Sequence, residues 1–232
     1  MTNICLPGDL IEIDSKQDQE KKVIGRGLQC DSGDLTKIRV VQPGLLKSCG
    51  SKRWVAVYSN RYIPQEGDKV LGVVKASRGD LIKVDIGASD IASISFLGFE
   101  GATKRNRPVL KTGDLIYAAV ILAMRHLEAT LTCVDNEGRA QGLGLLPSGG
   151  FLFKTSLNLA RRLLSPSSRL LSLIGKEIKF EITCGMNGRI WIKASKANEV
   201  AAIYRMIVGS QSIPESDIPT FIDEHMRILK GM

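Results

Sequence analysis

The chain has 232 residues, of which 44% are hydrophobic and 24% are charged, and its formal net charge is +8. The length allows one to three domains with ample material for their cores, and the composition is ordinary for a globular protein. Positive charge is in excess in residues 1–63 and 145–232 but is balanced by acidic residues in between. This distribution excludes a uniformly basic module, so any contact with a polyanion has to come from local clusters.

The cysteines and the apolar runs indicate the cellular setting. Cys5, Cys30, Cys49, Cys133 and Cys184 are odd in number, far apart and without metal-ligand spacing, which predicts reduced thiols in an intracellular protein. The first residues lack the basic start and apolar stretch of a signal peptide. No apolar run approaches the roughly 20 residues that cross a bilayer, so we expect no membrane contact.

A Gly-Asp pair followed by an apolar-rich run recurs along the first half of the chain. It occurs at Gly8-Asp9, Gly67-Asp68, Gly79-Asp80 and Gly113-Asp114. Gly-Asp suits a tight turn, and the β-branched residues behind it suit a strand. Because the spacing is irregular, the pattern indicates small barrels built from turn–strand units and not a solenoid repeat.

The chain divides into three predicted domains, so the predicted fold class is mainly β plus α/β. Residues 1–63 read as a small N-terminal β domain, with short strands and turns at Gly25, Gly27, Gly33, Gly44 and Gly50. Residues 64–142 contain five strand-like runs and a polar linker over 135–142, which fits an OB-fold barrel, a common single-strand-binding fold. The runs cover 70–76, 81–86, 91–96, 115–123 and 129–134.

Residues 143–232 have the element order of a KH-type α/β domain. The predicted order is a strand over 151–154, helices over 156–164 and 166–174, strands over 177–184 and 189–194, and helices over 197–208 and 218–230. In a KH domain, a Gly-x-x-Gly loop between the first two helices clamps a nucleotide backbone. Here that junction, 165–168, has no glycine, and Gly185-Met186-Asn187-Gly188 joins two strands instead. We therefore expect Gly185, Asn187 and Gly188 to form a structural turn and not an RNA clamp.

The hydrophobic pattern of this hairpin predicts its register. Apolar residues alternate on both strands, at Phe180, Ile182 and Cys184 and at Ile190, Ile192 and Ala194. These six residues share one face only if Gly185 pairs with Arg189, which leaves a three-residue loop with Gly188 at positive φ. Trp191 then lies on the opposite face. We expect it in an interface, either with the barrel or with a neighbouring subunit.

Residues with catalytic or metal-binding chemistry are sparse. Neither His126 nor His225 has a second ligand at zinc-site spacing, and there is no nucleophile elbow and no P-loop. Asp80, Asp85 and Asp90 are spaced by five within strand regions, which favours solvated or turn positions over a cluster. The sequence therefore predicts no catalytic residue, no metal and no cofactor.

Two basic clusters are candidates for nucleic-acid contact. The first lies in the loop between barrel strands and comprises Lys104, Arg105, Asn106, Arg107 and Lys111. Its cations could contact phosphates, and a merely solvated loop fits equally well. The second is Arg161 and Arg162 with Arg169, for which a solvated helix face is the favoured interpretation. The candidate stacking or interface aromatics are Trp54, Tyr58, Tyr62 and Trp191. Core packing explains most such residues, and Trp191 is the expected exception.

Several blocks of the chain together resemble the exosome component three family, which is one of three RNA-binding cap subunits of the eukaryotic RNA exosome. The blocks are 62–64, 67–68, 84–88, 99–108, 113–117 and 185–191. The resemblance covers nearly the whole chain. The runs Ala-Thr-Lys-Arg-Asn-Arg-Pro, starting at Ala102, and Gly-x-Asn-Gly-Arg-Ile-Trp, starting at Gly185, are the specific ones, whereas the Gly-Asp turns alone are weak.

The resemblance implies an N-terminal β domain, an OB barrel of the ribosomal S-one type and a KH domain. It implies a non-catalytic subunit in nucleus, nucleolus and cytoplasm, within a ring-and-cap complex that feeds single-stranded RNA to associated 3'–5' exoribonucleases for rRNA processing and RNA degradation. The partners are then the other ring and cap subunits. In barrels of this type the RNA-facing strands carry paired aromatics, but here the run is 81–84, Leu-Ile-Lys-Val. Since base stacking contributes roughly 1–3 kcal/mol per base, its loss predicts weak intrinsic affinity. The alternative is a free-standing RNA-binding protein in translation or ribosome assembly.

Overall fold

The computed structural model describes residues 4–12, 23–31, 37–59, 61–124, 126–166, 168–214 and 216–231. The chain forms two compact units, Met1–Ser59 and Asn60–Met232. Among the described residues, none of the helices has the length and apolar character that crossing a membrane requires.

The described part of the first unit is all β, as predicted. Its strands are β1 (Ile4–Cys5), β2 (Leu10–Glu12), β3 (Val23–Ile24), β4 (Leu28–Cys30), β5 (Lys37–Val40), β6 (Gly44–Cys49) and β7 (Lys52–Ala56). They form two sheets, in the orders β1-β6-β7-β3 and β2-β5-β4. Cys5, Val40 and Val55 make a small buried core. The turn predicted at Gly33 lies outside the described residues.

The first half of the second unit is a closed β barrel. Its strands are β8 (Lys69–Arg78), β9 (Leu81–Asp85), β10 (Ala92–Ser95), β11 (Leu115–Leu122), β12 (Thr130–Thr132) and β13 (Gly144–Leu145). They follow the order β12-β10-β9-β8-β11-β13, and β12 also pairs with β11, which closes the barrel. The five predicted strand runs are confirmed, and the sequence reading missed the short β13.

Residues just before β8 and just after β12 are also part of the barrel domain. Tyr62, which the predicted boundary at residue 63 assigns to the N-terminal domain, is buried in the barrel core, and its hydroxyl donates to Asp68 at 2.8 Å. The predicted linker over 135–142 is a compact turn, because the Asp135 carboxylate accepts from the backbone of Glu137 and Arg139 and from the Gln141 side chain.

The Gly-Asp pairs start strands as predicted. The glycines Gly8, Gly67, Gly79 and Gly113 all have positive φ, between 60° and 98°. Strands β2, β8, β9 and β11 begin directly after the four aspartates. A residue without Cβ adopts this left-handed conformation at little cost, which explains why glycine precedes each strand.

The second half of this unit is the KH-type α/β domain. Its elements are β14 (Phe151–Lys154), α1 (Leu157–Leu164), α2 (Leu170–Glu177), β15 (Phe180–Cys184), β16 (Arg189–Ala194), α3 (Ala197–Gly209) and α4 (Ile218–Lys230). The antiparallel sheet has the order β14-β16-β15. Ile190, Ile192, Ile203, Met206 and Ile207 are fully buried in one core shared by sheet and helices.

The hairpin between β15 and β16 has the predicted register. Phe180 pairs with Ala194, Ile182 with Ile192 and Cys184 with Ile190. The Gly185 N–H donates to the Arg189 carbonyl at 2.9 Å, and Gly188 has a φ of 76°. The loop therefore has three residues, as the alternation of apolar residues requires.

The second predicted helix was placed too early. It starts at Leu170, not 166, and it runs through Gly175 to Glu177, so β15 starts at Phe180. Pro166 accounts for the end of α1 at Leu164, because the residue before a proline avoids helical geometry. Ser165 accordingly is extended, with φ −68° and ψ 134°. Ser167 of this junction lies outside the described residues.

Trp191 is packed into the space beside a glycine. Trp191 is only 2% exposed. It pairs with Leu152 of β14 and Thr183 of β15, so these three side chains share one face of the sheet. A Cβ on Gly150 would lie 2.1 Å from the indole nitrogen. Among the described residues this Nε1–H has no hydrogen-bond partner, so packing alone holds the ring.

Replacing Gly150 by alanine is expected to destabilise the protein. The new methyl group displaces the indole, and overpacking of this kind costs about 1–3 kcal/mol. Thermal denaturation of Gly150→Ala should show a melting temperature several degrees lower, with altered Trp191 emission in a Trp54→Phe background. Gly175→Ala is the control, because its Cβ meets nothing closer than 4.0 Å and alanine favours the helix. Equal melting temperatures for the two variants would contradict this packing.

Candidate nucleic-acid interface

The Gly-x-Asn-Gly loop lies against the barrel. The Asn187 side chain is 2% exposed, and its amide donates to the carbonyls of Leu71 at 2.8 Å and Ile86 at 2.7 Å. Its oxygen accepts from the Leu71 N–H at 3.3 Å. The Asn187 side chain therefore pairs with both the N–H and the carbonyl of Leu71 in β8, as the backbone of a neighbouring strand would. Its bond to the Ile86 carbonyl is made just beyond the end of β9.

A partly buried ion pair supports the same contact. The Arg189 guanidinium lies 3.1 Å from the Asp85 carboxylate and also donates to the Asp85 backbone carbonyl. Burial of Asp85 raises its pKa. Hydrogen bonds from the Gly87 N–H and Arg189, together with the nearby charges of Arg189 and Lys75, lower the pKa by a larger amount. The net shift is downward, so the carboxylate is charged at neutral pH and the pair persists.

The two glycines of the loop leave no room for a side chain. A Cβ on Gly185 would lie 2.3 Å from the Asn187 amide oxygen and 2.8 Å from the Leu71 nitrogen. A Cβ on Gly188 would lie 2.7 Å from the Thr155 carbonyl, in a backbone conformation that already disfavours side chains. The close approach of the loop to the barrel therefore requires glycine at 185, whereas the positive φ and the contact with Thr155 of the same domain require glycine at 188.

Further contacts continue from this loop along the junction. The Met186 N–H donates to the Lys69 carbonyl at 2.8 Å, and the Tyr117 hydroxyl donates to the Cys184 carbonyl at 3.5 Å. Leu157 of α1 is buried with the barrel core. We call the contacts made by residues 185–189 with the barrel the interdomain brace. Its polar groups are already paired within the chain, so a nucleotide backbone would have to displace them.

The basic loop of the barrel is ordered by its own hydrogen bonds. The Asn106 N–H donates to the Thr103 hydroxyl at 3.0 Å, and the Thr103 N–H donates to the Asn106 carbonyl at 3.0 Å. The Asn106 side chain donates to the Gly101 carbonyl at 3.4 Å. Lys104 and Arg105 are exposed between the two ends of this turn.

Arg107 is held from three sides. Its guanidinium lies 3.1 Å from the Asp80 carboxylate, donates to the Gly79 carbonyl at 3.4 Å and lies 4.5 Å from the centre of the Phe96 ring. Arg107 thus fastens the basic loop to the turn between β8 and β9. Lys104, Arg105 and Lys111 are exposed and, among the described residues, have no acidic partner within ion-pair distance.

The second basic cluster is not one solvated face. Arg162 donates to the Ser210 carbonyl and hydroxyl, so the expectation that it faces solvent is wrong. Arg161 is exposed. The sequence analysis missed this contact because Ser210 is 48 residues away from Arg162 along the chain.

The other residues that the sequence analysis considered for chemistry are cysteines, histidines and Asp85. Burial raises the pKa of the Cys133 and Cys184 thiols to about 12, which keeps both protonated. No group of histidine, cysteine and acidic side chains in the described ranges could hold a metal ion. His225 packs against the Phe221 ring at 4.2 Å, and His126 is exposed. Asp85 receives a turn hydrogen bond, as expected, but its pairing with Arg189 was missed because no sequence signal links these two residues.

Comparison with known proteins identifies the same two modules. The family model described as "Exosome complex component RRP40, S1 domain" matches residues 62–144, and a KH domain model matches residues 150–198. The human exosome complex component RRP40 is 37% identical over 228 residues, covering 88% of this chain and 83% of that protein. The Drosophila melanogaster protein of the same name is 43% identical, covering 89% and 88%.

Two further relatives extend the match. The Saccharomyces cerevisiae exosome complex component RRP40 is 34% identical, covering 99% of this chain and 97% of that protein. A crystal structure of a candidate exosome complex RNA-binding protein superposes with a TM-score of 0.57 at 28% identity. It covers 72% of this chain and 98% of that one.

Changing Asn187 to aspartate is expected to weaken the interdomain brace severely. The two side chains have the same shape, but a carboxylate cannot donate to the Leu71 and Ile86 carbonyls and would place a buried charge beside them. Leaving such groups unpaired costs about 1–3 kcal/mol each, so we expect a loss of about 3 kcal/mol or more in chemical denaturation.

Asn106→Asp is the matched control, since Asn106 is exposed and its amide makes one long hydrogen bond. Changes at such surface positions stay within about 0.5 kcal/mol. Similar losses of unfolding free energy in both variants would show that the Asn187 bonds contribute nothing special.

Proposed function

Because the chain belongs to the RRP40 family of exosome complex components, we propose that it is a non-catalytic, RNA-binding cap subunit of the RNA exosome. It stabilises the ring and guides single-stranded RNA to associated 3'–5' exoribonucleases in rRNA processing and RNA degradation. It acts in the nucleus, the nucleolus and the cytoplasm, where its partners are RNA and the other ring and cap subunits.

The proposed domain division is an N-terminal β domain over 1–63, an S-one-type barrel over 64–142 and a KH-type domain over 143–232. The matched ranges 62–144 and 150–198 support this order of domains, and the burial of Tyr62 in the barrel core favours a first boundary just before Tyr62. Among the described residues, no group of histidine, cysteine and acidic side chains could hold a metal ion, and burial raises the pKa of the Cys133 and Cys184 thiols.

The interdomain brace is the observation that carries the proposal. A KH domain that binds RNA alone leaves its Gly-x-x-Gly backbone open to a nucleotide. Here Asn187 is buried, and its side chain donates hydrogen bonds to barrel carbonyls and accepts one from a barrel N–H. We therefore assign Gly185, Asn187 and Gly188 to a structural turn. We assign Trp191, on the sheet face that also carries Arg189, to the interface between this domain and the barrel.

RNA contact is assigned to the basic loop, through phosphates. Lys104, Arg105 and Lys111 are exposed cations on a turn that is already ordered. Binding of RNA therefore loses little conformational entropy of this loop. Asn106 and Arg107 hold the turn and position these cations. Leu81 is half exposed where barrels of this type carry an aromatic residue, which favours phosphate contact over base stacking.

In cell extract fractionated by size, the chain should elute in a large assembly with other exosome subunits. The chain alone has a mass of 25.3 kDa. A free-standing RNA-binding factor would elute near that mass after nuclease treatment, when no RNA links it to larger particles. Identification of the co-eluting proteins by mass spectrometry distinguishes the two functions, and elution at the monomer mass would overturn the proposal.

Replacing Lys104 and Arg105 by alanine should weaken RNA binding of the assembled complex to a similar extent for different sequences. For single strands, the slope of log affinity against log salt falls by about 0.7 per phosphate contact, so the double variant should lose about 1.4. The measurement is binding of fluorescent single-stranded RNA over a salt series.

Two variants test this assignment of roles. Arg139→Ala removes an exposed cation of the barrel that pairs with Glu137 at 2.7 Å, and its salt slope should match the unmodified protein. Arg107→Ala should reduce affinity with little change in slope, because it loosens the loop and removes no phosphate contact. An unchanged slope in the Lys104/Arg105 double variant would assign the loop to protein contacts instead.

A further inference from the structure

Helix α3 carries an apolar stripe on the side that faces away from the domain core. Ala197, Ala201, Tyr204 and Val208 are all exposed, whereas Ile203, Met206 and Ile207 of the same helix are buried. At 3.6 residues per turn the four exposed residues fall within an arc of about 60° and extend along about 16 Å of the helix. The spacing of four, three and four residues is that of a seam between two packed helices.

An exposed aromatic residue of the sheet widens this stripe. Phe151 of β14 is 47% exposed, and its ring meets the edge of the Tyr204 ring with centroids 5.9 Å apart. Among the described residues, β14 pairs only with β16, so it lies at the edge of the sheet beside α3. The four stripe residues and Phe151 together form what we call the α3 surface.

The rim of the α3 surface is basic. Lys154 follows Phe151 by three residues, Arg205 follows Tyr204 directly, and both are exposed. Within the described part of the chain neither has an acidic side chain within ion-pair distance. An occupant with carboxylates beside its apolar face would complement this rim.

We propose that the α3 surface binds an amphipathic helix of another exosome subunit, with Asp or Glu residues flanking its apolar stripe. The identity of this partner rests on the proposed function; the surface itself rests on the geometry. Ala197 and Ala201 leave space for large side chains of the partner, and Tyr204 with Phe151 forms the bulky end of the surface.

Two other occupants fit the surface less well. A second copy of this chain would place the same basic rim against itself, which like charges oppose. RNA could use the cations, but one face of the Phe151 ring is stacked on Phe153 at 5.8 Å. Ala197, Ala201 and Val208 offer RNA neither stacking nor hydrogen bonds.

The test uses the complex reconstituted from the full chain and the remaining exosome ring and cap subunits of the same organism. Ala201→Asp places a charge in the middle of the stripe and should lower incorporation at least tenfold in competition with the unmodified chain. Asn198→Asp is the matched control, since it adds the same charge at an exposed position of α3 outside the stripe. It should compete equally. Circular dichroism and melting temperature establish that both variants fold.

A crosslinking experiment tests the same proposal independently, in case Ala201→Asp folds poorly. A photoreactive p-benzoylphenylalanine replacing Tyr204 should crosslink to a helical segment of another exosome subunit, and Arg205→Glu should weaken incorporation more than Arg205→Lys. Crosslinks to RNA alone, or to no subunit with full incorporation of Ala201→Asp, would overturn the inference. If the unmodified chain itself fails to enter the complex, the proposed function is wrong, and the partner named here falls with it.

Discussion

The fold of the second unit depends on satisfying one buried amide. Asn187 lies in a tight loop between two strands, where its side chain has no partner within the hairpin, and burying it unpaired would cost about as much as a lost hydrogen bond for each polar atom. The barrel supplies the partners, through the Leu71 backbone and the Ile86 carbonyl. The KH-type domain and the barrel therefore stabilise each other. The glycines on either side of Asn187 are required because the loop comes so close to its neighbours.

The Gly-x-Asn-Gly loop of the KH-type domain is bonded to the barrel. The backbone N–H groups of Gly185, Met186 and Gly188 are already bonded within the chain, and the junction between α1 and α2 has no glycine. Under the proposed function, RNA contact is then assigned to side chains of the basic loop, which the fold orders in advance. In the basic loop, Arg107 contacts Asp80 and the Phe96 ring, and the neighbouring Lys104 and Arg105 are exposed.

Basic side chains of this protein differ in whether their donors are already bonded within the chain. Adjacent arginines of α1 look equivalent in the sequence, yet Arg162 bonds Ser210 while Arg161 is exposed. An arginine with its donors bonded inside the chain serves packing and position, whereas one without such bonds can serve a ligand. Exposure alone therefore does not decide the role of a basic side chain.

The sequence by itself determined those features that depend on local chemistry. Gly-Asp pairs predicted where four strands start because positive φ is a local requirement, and alternation predicted the hairpin register because a one-residue slip would turn every apolar side chain over. It also predicted that Trp191 lies opposite the main apolar face. Only the tertiary structure decided which distant groups meet. Asp85 and Arg189 are 104 residues apart, and Asn187 reaches a strand 116 residues away. Such pairings depend on how two domains dock, which no local pattern records.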